Sequence, residues 1–203
     1  MMKKTILAAV AFSAIAATAS ADDFYGSINL GMGKGKPKIE GTTGKMKSSS
    51  PIAGDIAFGT YLNPNIRSEL AFSLHSHKSK NKDIGLQVKE SSMGGMLNFY
   101  YDLYPTDKFT PYFVAGMGYG KNKFKITGTN VVERTKPKSK GSFGYQAGLG
   151  VDFNFDVTKV GLGYRYRSFG MSKSGADYSL NGTNLKVEPK AGHMLVLGAR
   201  YDF

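Results

Sequence analysis

Cysteine and long apolar stretches are missing from this chain of 203 residues, which is long enough for one domain. Without cysteine, no disulfide can stabilise the fold. After residue 21, no segment approaches the about 20 consecutive apolar residues that a membrane-crossing helix requires. The sequence therefore excludes both a disulfide-stapled secreted domain and a helical membrane protein.

The first residues have the three parts of a secretory signal. Two lysines, Lys3 and Lys4, precede an apolar run, and the run ends in Ala19-Ser20-Ala21, a cleavage site of small residues. This pattern predicts a signal peptide over residues 1–21 and a single exported domain over residues 22–203.

Acidic residues are few. The chain has 15 Asp and Glu against 27 Lys and Arg, and its formal net charge is +12 at pH 7. Such an excess favours anionic partners, among them nucleic acid, anionic lipid and sulfated sugar. Because the basic residues lack interleaved aromatics and the chain is predicted to be exported, we expect no nucleic-acid partner.

Eight segments alternate apolar and small or polar residues, which is the pattern of β-strands. Short and long connections alternate between these segments. Three are tight turns rich in Asn, Pro and Asp, and four are long and rich in Lys, Ser and Gly. The predicted strands lie within 24–33, 52–59, 66–75, 97–103, 113–120, 142–153, 160–167 and 194–203; the long connections are 34–51, 76–91, 121–141 and 170–190.

Two kinds of architecture fit such strands. A β-sandwich or a lipocalin-like barrel would bury the apolar face, and would then expose a face of Gly, Ala and Ser with isolated Arg and Asp. A transmembrane barrel turns the apolar face to lipid and needs no free edge. We therefore predict an all-β fold: an eight-stranded antiparallel up-and-down transmembrane β-barrel with short periplasmic turns, four long extracellular loops and both termini in the periplasm.

Most arginines fall on the predicted inward face, where carboxylates also occur. Buried charges are tolerated when they are paired and hydrogen-bonded, so we expect a plugged lumen; this argues against a wide pore and leaves a small channel as an alternative. The predicted lumen charge network comprises Asp55, Arg67, Glu69, Asp102, Asp152, Arg165, Arg167 and Arg200.

Lysines concentrate instead in the long connections. They could simply keep solvated loops apart, or they could form a surface that binds polyanions in a salt-dependent way. The candidate ligand-binding residues are Lys34, Lys36, Lys38, Lys45, Lys47, Lys78, Lys80, Lys82, Lys121, Lys123, Lys125, Arg134, Lys136, Lys138 and Lys140.

A serine and two histidines in the third strand raise the possibility of catalysis. Ser73 and His75 share a face with Glu69, a set that would suit acyl transfer. Lipid A deacylases, however, carry the reverse order, His-x-Ser, and here the face points inward. His75 and His77 are too few to hold a metal, so we expect a water-exposed pair at the barrel rim, no enzyme activity, no metal and no cofactor.

Several stretches resemble a known family. They are "YLNPNIRSELAF", "KFTPYFVAGMGYG", "FGYQAGLGVDFNF", "VGLGYRYRSFG" and "AGHMLVLGARYDF", and they resemble the opacity-type surface antigens, most of all the rickettsial-type adhesins of that outer-membrane barrel group. The resemblance covers the strands and little of the loops. It implies a place in the bacterial outer membrane, contact with outer-membrane lipid and lipopolysaccharide, and insertion by the barrel-assembly machinery, for which Tyr201 and Phe203 resemble the recognition signal.

The resemblance also implies a function. In several members of the family the loops bind host-cell proteins or sulfated glycans, so we expect a surface antigen and adhesin whose lysine-rich loops bind a host-cell receptor or sulfated glycan. The alternative is a structural barrel that stabilises the outer leaflet by binding lipopolysaccharide phosphates. We expect no appended peptidoglycan-binding domain.

Overall fold

The computed structural model describes residues 24–34, 38–40, 47–81, 86–127, 131–133, 141–168, 177–180, 183–188 and 191–203, so the signal peptide predicted over 1–21 lies outside the described residues. In these ranges no helix is long and apolar enough to span a bilayer. The strands are β1 (Phe24–Lys34), β2 (Lys38–Glu40), β3 (Lys47–Ser48), β4 (Ile52–Asn63), β5 (Ile66–Asn81), β6 (Leu86–Asp102), β7 (Phe109–Thr127), β8 (Val131–Glu133), β9 (Gly141–Phe155), β10 (Thr158–Ser168), β11 (Asp177–Leu180), β12 (Thr183–Glu188) and β13 (Gly192–Asp202).

Eight long strands form a closed antiparallel barrel: β1, β4, β5, β6, β7, β9, β10 and β13. Each pairs with its neighbours along the chain, and β1 pairs with β13, from Tyr25 opposite Asp202 to Lys34 opposite His193. Closure pairs both edges of every barrel strand, as a bilayer requires. The predicted fold class is confirmed.

The two faces of the barrel wall differ in polarity. Outward side chains form an exposed apolar band, in which Leu30 and Leu195 are each 63% exposed. Inward side chains are mostly polar and buried, among them Asn98 and Arg165. Exposed apolar surface costs about 25 cal/mol per Å² in water, so this wall suits lipid, and the lipocalin-like alternative does not fit.

Three barrel strands continue past the apolar band. The continuation comprises 76–81 of β5, 86–91 of β6 and 121–127 of β7, and we name it the projecting sheet. The sequence prediction of loops at 76–91 and 121–141 was wrong over these residues. It followed apolar alternation, which stops at Leu74 and Met93, whereas the ladder of paired residues continues, with Lys78 opposite Lys89 and Lys89 opposite Lys125.

The other long connections also contain strands. β2, β12, β11 and β8 form a separate four-stranded antiparallel sheet in that order, and β3 pairs with β5, with Lys47 opposite Lys80. The prediction of loops was wrong here too. Apart from the hairpin of β11 and β12, these short strands pair across distant parts of the chain, and none of them leaves a local apolar pattern.

Candidate functional site

The lumen holds its charges in two clusters. In the cluster nearer the short turns, Arg67 donates from Nε to Asp102 at 3.1 Å and from Nη2 to Asp152 at 2.9 Å. Arg200 Nη1 donates to the same Asp152 oxygen, also at 2.9 Å. Asp152 therefore links β5 to β13 across the interior through two arginines.

The second cluster centres on Asp55. Arg167 donates two parallel hydrogen bonds to its carboxylate, at 2.8 and 2.6 Å, and Arg165 Nη1 lies 3.5 Å from Asp55 Oδ2. Arg167 also donates from Nε to Gln146 at 2.8 Å. Such forked contacts are those for which a guanidinium is better suited than an ammonium.

Glu69 lies between the clusters and is held by neutral donors. Ser27, Asn98 and Tyr100 donate hydrogen bonds to its two oxygens at 2.9, 2.9 and 3.0 Å. Arg165 donates to the Tyr100 hydroxyl at 3.1 Å, which connects Glu69 to the charges around it. The structure thus brings all eight predicted lumen residues into the interior.

Two charged residues of the same interior, Lys159 and Asp202, were left out of the predicted lumen charge network. Lys159 bonds to Asp202, and Arg200 Nε lies 3.4 Å from the other oxygen of Asp202. The predicted seventh strand began one residue after Lys159, so its inward position was overlooked. Lys159 lies opposite Arg200 in the strand pairing, and Asp202 follows Arg200 by two residues on the same face; this spacing was the available signal.

These residues close the interior. Arg67 lies over the ring of Tyr100, 4.2 Å from its centroid, and 5.2 Å from that of Tyr112. The cavity left among them in the described residues is about 20 Å³, room for about one water molecule. At this level the lumen has space for water but not for a solute.

Glycines on the inner face make room for tyrosine rings. A Cβ added at Gly59 would lie 2.2 Å from Cζ of Tyr25, and one added at Gly150 would lie 2.5 Å from the hydroxyl oxygen of Tyr112. A Cβ added at Gly163 would lie 2.8 Å from the same hydroxyl oxygen. Sequence reasoning identified small inward residues but not the rings that need them.

The histidines are not the water-exposed pair that the sequence predicted. His77 is 5% exposed, with Nδ1 4.0 Å from Oε2 of Glu90, and His75 is half-buried; Ser73 is buried in the lumen. The prediction was wrong because β5 continues and carries His77 into the projecting sheet. Beyond the apolar band, burial raises the pKa of Glu90 to about 7 and lowers the pKa of His77.

The candidate lysines divide into three groups. Lys78, Lys80, Lys121, Lys123 and Lys125 are exposed on the outer face of the projecting sheet rather than in loops, and Lys34 is exposed at the end of β1. Lys38 and Lys47 lie in β2 and β3. Outside the described residues are Lys36, Lys45, Lys82, Arg134, Lys136, Lys138 and Lys140.

Three lysines of the projecting sheet form one row. Lys78 lies opposite Lys89 and Lys89 lies opposite Lys125, and all three are exposed. Lys89 was not among the candidate residues named from the sequence, although Lys78 and Lys80 of the same connection were. Among the described outward-facing residues of the projecting sheet there is no carboxylate. Directly opposed like charges repel, so this row, which we name the basic row, is suited to bind an anion.

Comparison with known proteins places this barrel among outer-membrane proteins. The outer membrane protein beta-barrel domain family matches residues 5–203. A Rickettsia conorii protein named "Putative adhesin" is 29% identical over 206 residues, with 89% of this chain and 82% of the relative covered. OprG of Pseudomonas aeruginosa superposes with a TM-score of 0.56 at 16% identity, and Neisserial surface protein A with 0.55 at 19%; each match covers 91% of this chain and 98% of the other. The chain belongs to the outer membrane protein beta-barrel domain family, and it is a bacterial outer-membrane protein.

Proposed function

We propose that this protein is a surface adhesin that binds sulfated glycan or an acidic host-cell receptor through its lysine-rich end. The basic row of Lys78, Lys89 and Lys125 is the observation that carries the proposal, because it presents three exposed ammonium groups on paired strands with no described carboxylate on the same face. The names of the rickettsial relatives support the same role.

The spacing of the lysines favours a sulfated polymer. Neighbouring strands lie about 4.8 Å apart, and every second residue along a strand is about 7 Å further on. Lys80 lies two residues after Lys78 and Lys123 two residues before Lys125, both on the same face as the basic row. The ammonium groups therefore form a grid rather than one pocket. A grid can engage repeated anionic groups in several positions, with each contact weakened by salt.

The proposal also assigns an orientation. Residues 1–21 direct export, the short turns and both termini face the periplasm, and the projecting sheet faces outward, since outer-membrane barrels have short periplasmic turns and longer external loops. The barrel-assembly machinery recognises the last strand through Tyr201 and Phe203. The role is non-enzymatic, because Ser73 is buried on the inner face.

Heparin binding by the refolded protein tests the proposal. In Lys78→Gln/Lys89→Gln/Lys125→Gln we expect affinity to fall about tenfold or more at low salt, since exposed ion pairs contribute up to about 1 kcal/mol each and a tenfold change is about 1.4 kcal/mol. The slope of affinity against salt should also become shallower.

The matched control replaces the same three lysines by arginine. It keeps the charge, so heparin binding and attachment to host cells should both persist. If the glutamine variant binds heparin and host cells as the unaltered protein does, the proposed function is wrong.

A further inference from the structure

The small cavity inside the lumen is lined mainly by positive charge. Its volume is about 20 Å³, and members of both charge clusters line it. Four cationic side chains face it against two carboxylates, so the described lining has an excess of two positive charges. The charged lining residues are Arg67, Lys159, Arg165, Arg200, Glu69 and Asp152.

The carboxylates that balance two of these cations lie outside the cavity. Asp102 accepts a hydrogen bond from Nε of Arg67 at 3.1 Å, and Asp202 bonds to Lys159. Both carboxylates lie toward the short turns, and neither lines the cavity. The electrostatic potential inside the cavity is therefore positive, and the low dielectric constant of the interior strengthens it.

Two arginines of the lining have N–H groups that make no hydrogen bond. Nε of Arg165 and Nε of Arg200, the latter 3.4 Å from Asp202, are buried without a hydrogen-bond partner, and the two side chains are 2% and 6% exposed. Among the described lining residues, every buried side-chain nitrogen or oxygen in this condition belongs to a guanidinium group. A buried donor without an acceptor costs free energy and indicates an occupant such as an ion or a water molecule.

We propose that this cavity binds a chloride ion, held by the guanidinium groups of Arg165 and Arg200. Chloride accepts hydrogen bonds from several N–H groups and carries the negative charge that the lining lacks. A water molecule can accept from the same donors, but its own hydrogens would then point into a positively charged lining. A monatomic anion is scarcely larger than the one water molecule for which the cavity has room, whereas sulfate and phosphate are too large.

The end of the barrel with the short turns gives the ion its route. A pocket of about 520 Å³ opens there, with Asn63 and Pro105 of two turns in its wall. Lys159 and Arg200 line both this pocket and the cavity, so an ion in the pocket reaches the cavity past these two side chains. The site lies inside the barrel, and it does not rest on the proposed adhesion.

The chloride dependence of stability tests the site on the refolded full chain in detergent micelles. Urea unfolding is followed by the fluorescence of the 12 tyrosines, while chloride replaces the bulky anion gluconate at constant ionic strength. We expect the urea midpoint to rise over about a hundredfold range of chloride, because an ion that binds only the folded state stabilises it by RT ln(1 + [L]/Kd). A midpoint that does not respond to chloride would overturn the site.

Two matched variants locate the effect. Arg165→Lys keeps the charge but removes the guanidinium group, so the rise should move to at least tenfold higher chloride. Arg167→Lys makes the same replacement at a residue that does not line the cavity, and it should keep the rise whatever its absolute stability. An unchanged rise in Arg165→Lys, or an equal loss in both variants, would show that chloride acts elsewhere.

Crystals of the unaltered protein grown with bromide in place of chloride give a measurement that needs no variant. Anomalous scattering from bromine should show a peak inside the lumen, within hydrogen-bonding distance of the guanidinium groups of Arg165 and Arg200. Bromide found only on the outer surface, with none in the lumen, would refute the proposal.

Discussion

Asp55 is the residue whose removal should destabilise the barrel most clearly. It accepts two hydrogen bonds from Arg167, at 2.8 and 2.6 Å, and lies 3.5 Å from Arg165, and the three side chains are 2% to 4% exposed. In Asp55→Asn the amide nitrogen faces a guanidinium donor, and both arginines lose their carboxylate. Since leaving a buried charge without its partner costs about 3 to 5 kcal/mol, we expect the free energy of unfolding to fall by that amount.

The matched control is Glu69→Gln, the same chemical change elsewhere in the lumen. Its three donors are neutral, and the Ser27 hydroxyl can rotate to accept from the new amide, so we expect a loss of only about 1 to 2 kcal/mol. Urea unfolding in phospholipid vesicles measures both; the chain has no tryptophan, so far-ultraviolet circular dichroism follows the transition. A loss below about 1 kcal/mol for Asp55→Asn, or equal losses for the two variants, would refute the reasoning.

Three further predictions concern other parts of the barrel. Gly59→Ala should displace the Tyr25 ring and lower the unfolding free energy by about 1 to 3 kcal/mol, measured in the same urea assay; an unchanged midpoint would count against the ring packing. Burial raises the pKa of Glu90 from 4.5 to about 7, so the folded state retains a proton that the unfolded state releases, and stability falls as pH rises from about 4.5 to about 7. Relative to Glu90→Gln, the unaltered protein should therefore gain about 2 to 3 kcal/mol between pH 8 and pH 5; His77 is present in both proteins, and a parallel pH profile would contradict the burial. Finally, the filled lumen should give no steady single-channel conductance in planar bilayers, whereas regular conductance steps would show an open path.

The strands of the barrel wall could be predicted because the alternation of their residues is a local sequence pattern. Leu195, Leu197, Ala199 and Tyr201 occupy every second position, and most inward residues of the barrel strands are small or polar, so strand and face follow from alternation and turn chemistry. The inward arginines were predictable for the same reason. Their partners were not, since Arg67 meets Asp152 only because β5 and β9 curve around one lumen.

The projecting sheet could not be predicted in this way. Lys78, Lys89 and Lys125 lie on the outer face of strands whose outward positions are polar, and a polar strand has no apolar period to reveal it. Hydrogen bonds to neighbouring strands, which depend on the barrel below, hold these residues extended. The basic row is therefore a product of tertiary structure, whereas the lysine content alone was visible in the sequence.

The pairing of β1 with β13 has a consequence for how the protein is made. The segment that begins at Phe24 pairs along one edge with β4, but its other edge pairs with the segment that ends at Asp202, so the cylinder cannot be sealed while the chain is still emerging from the ribosome or crossing the inner membrane. Until then the nascent polypeptide must be kept unaggregated, and a truncation anywhere before β13 leaves an unsealed cylinder rather than a smaller one. The barrel can therefore close only after its last strand, β13, is available to pair with its first.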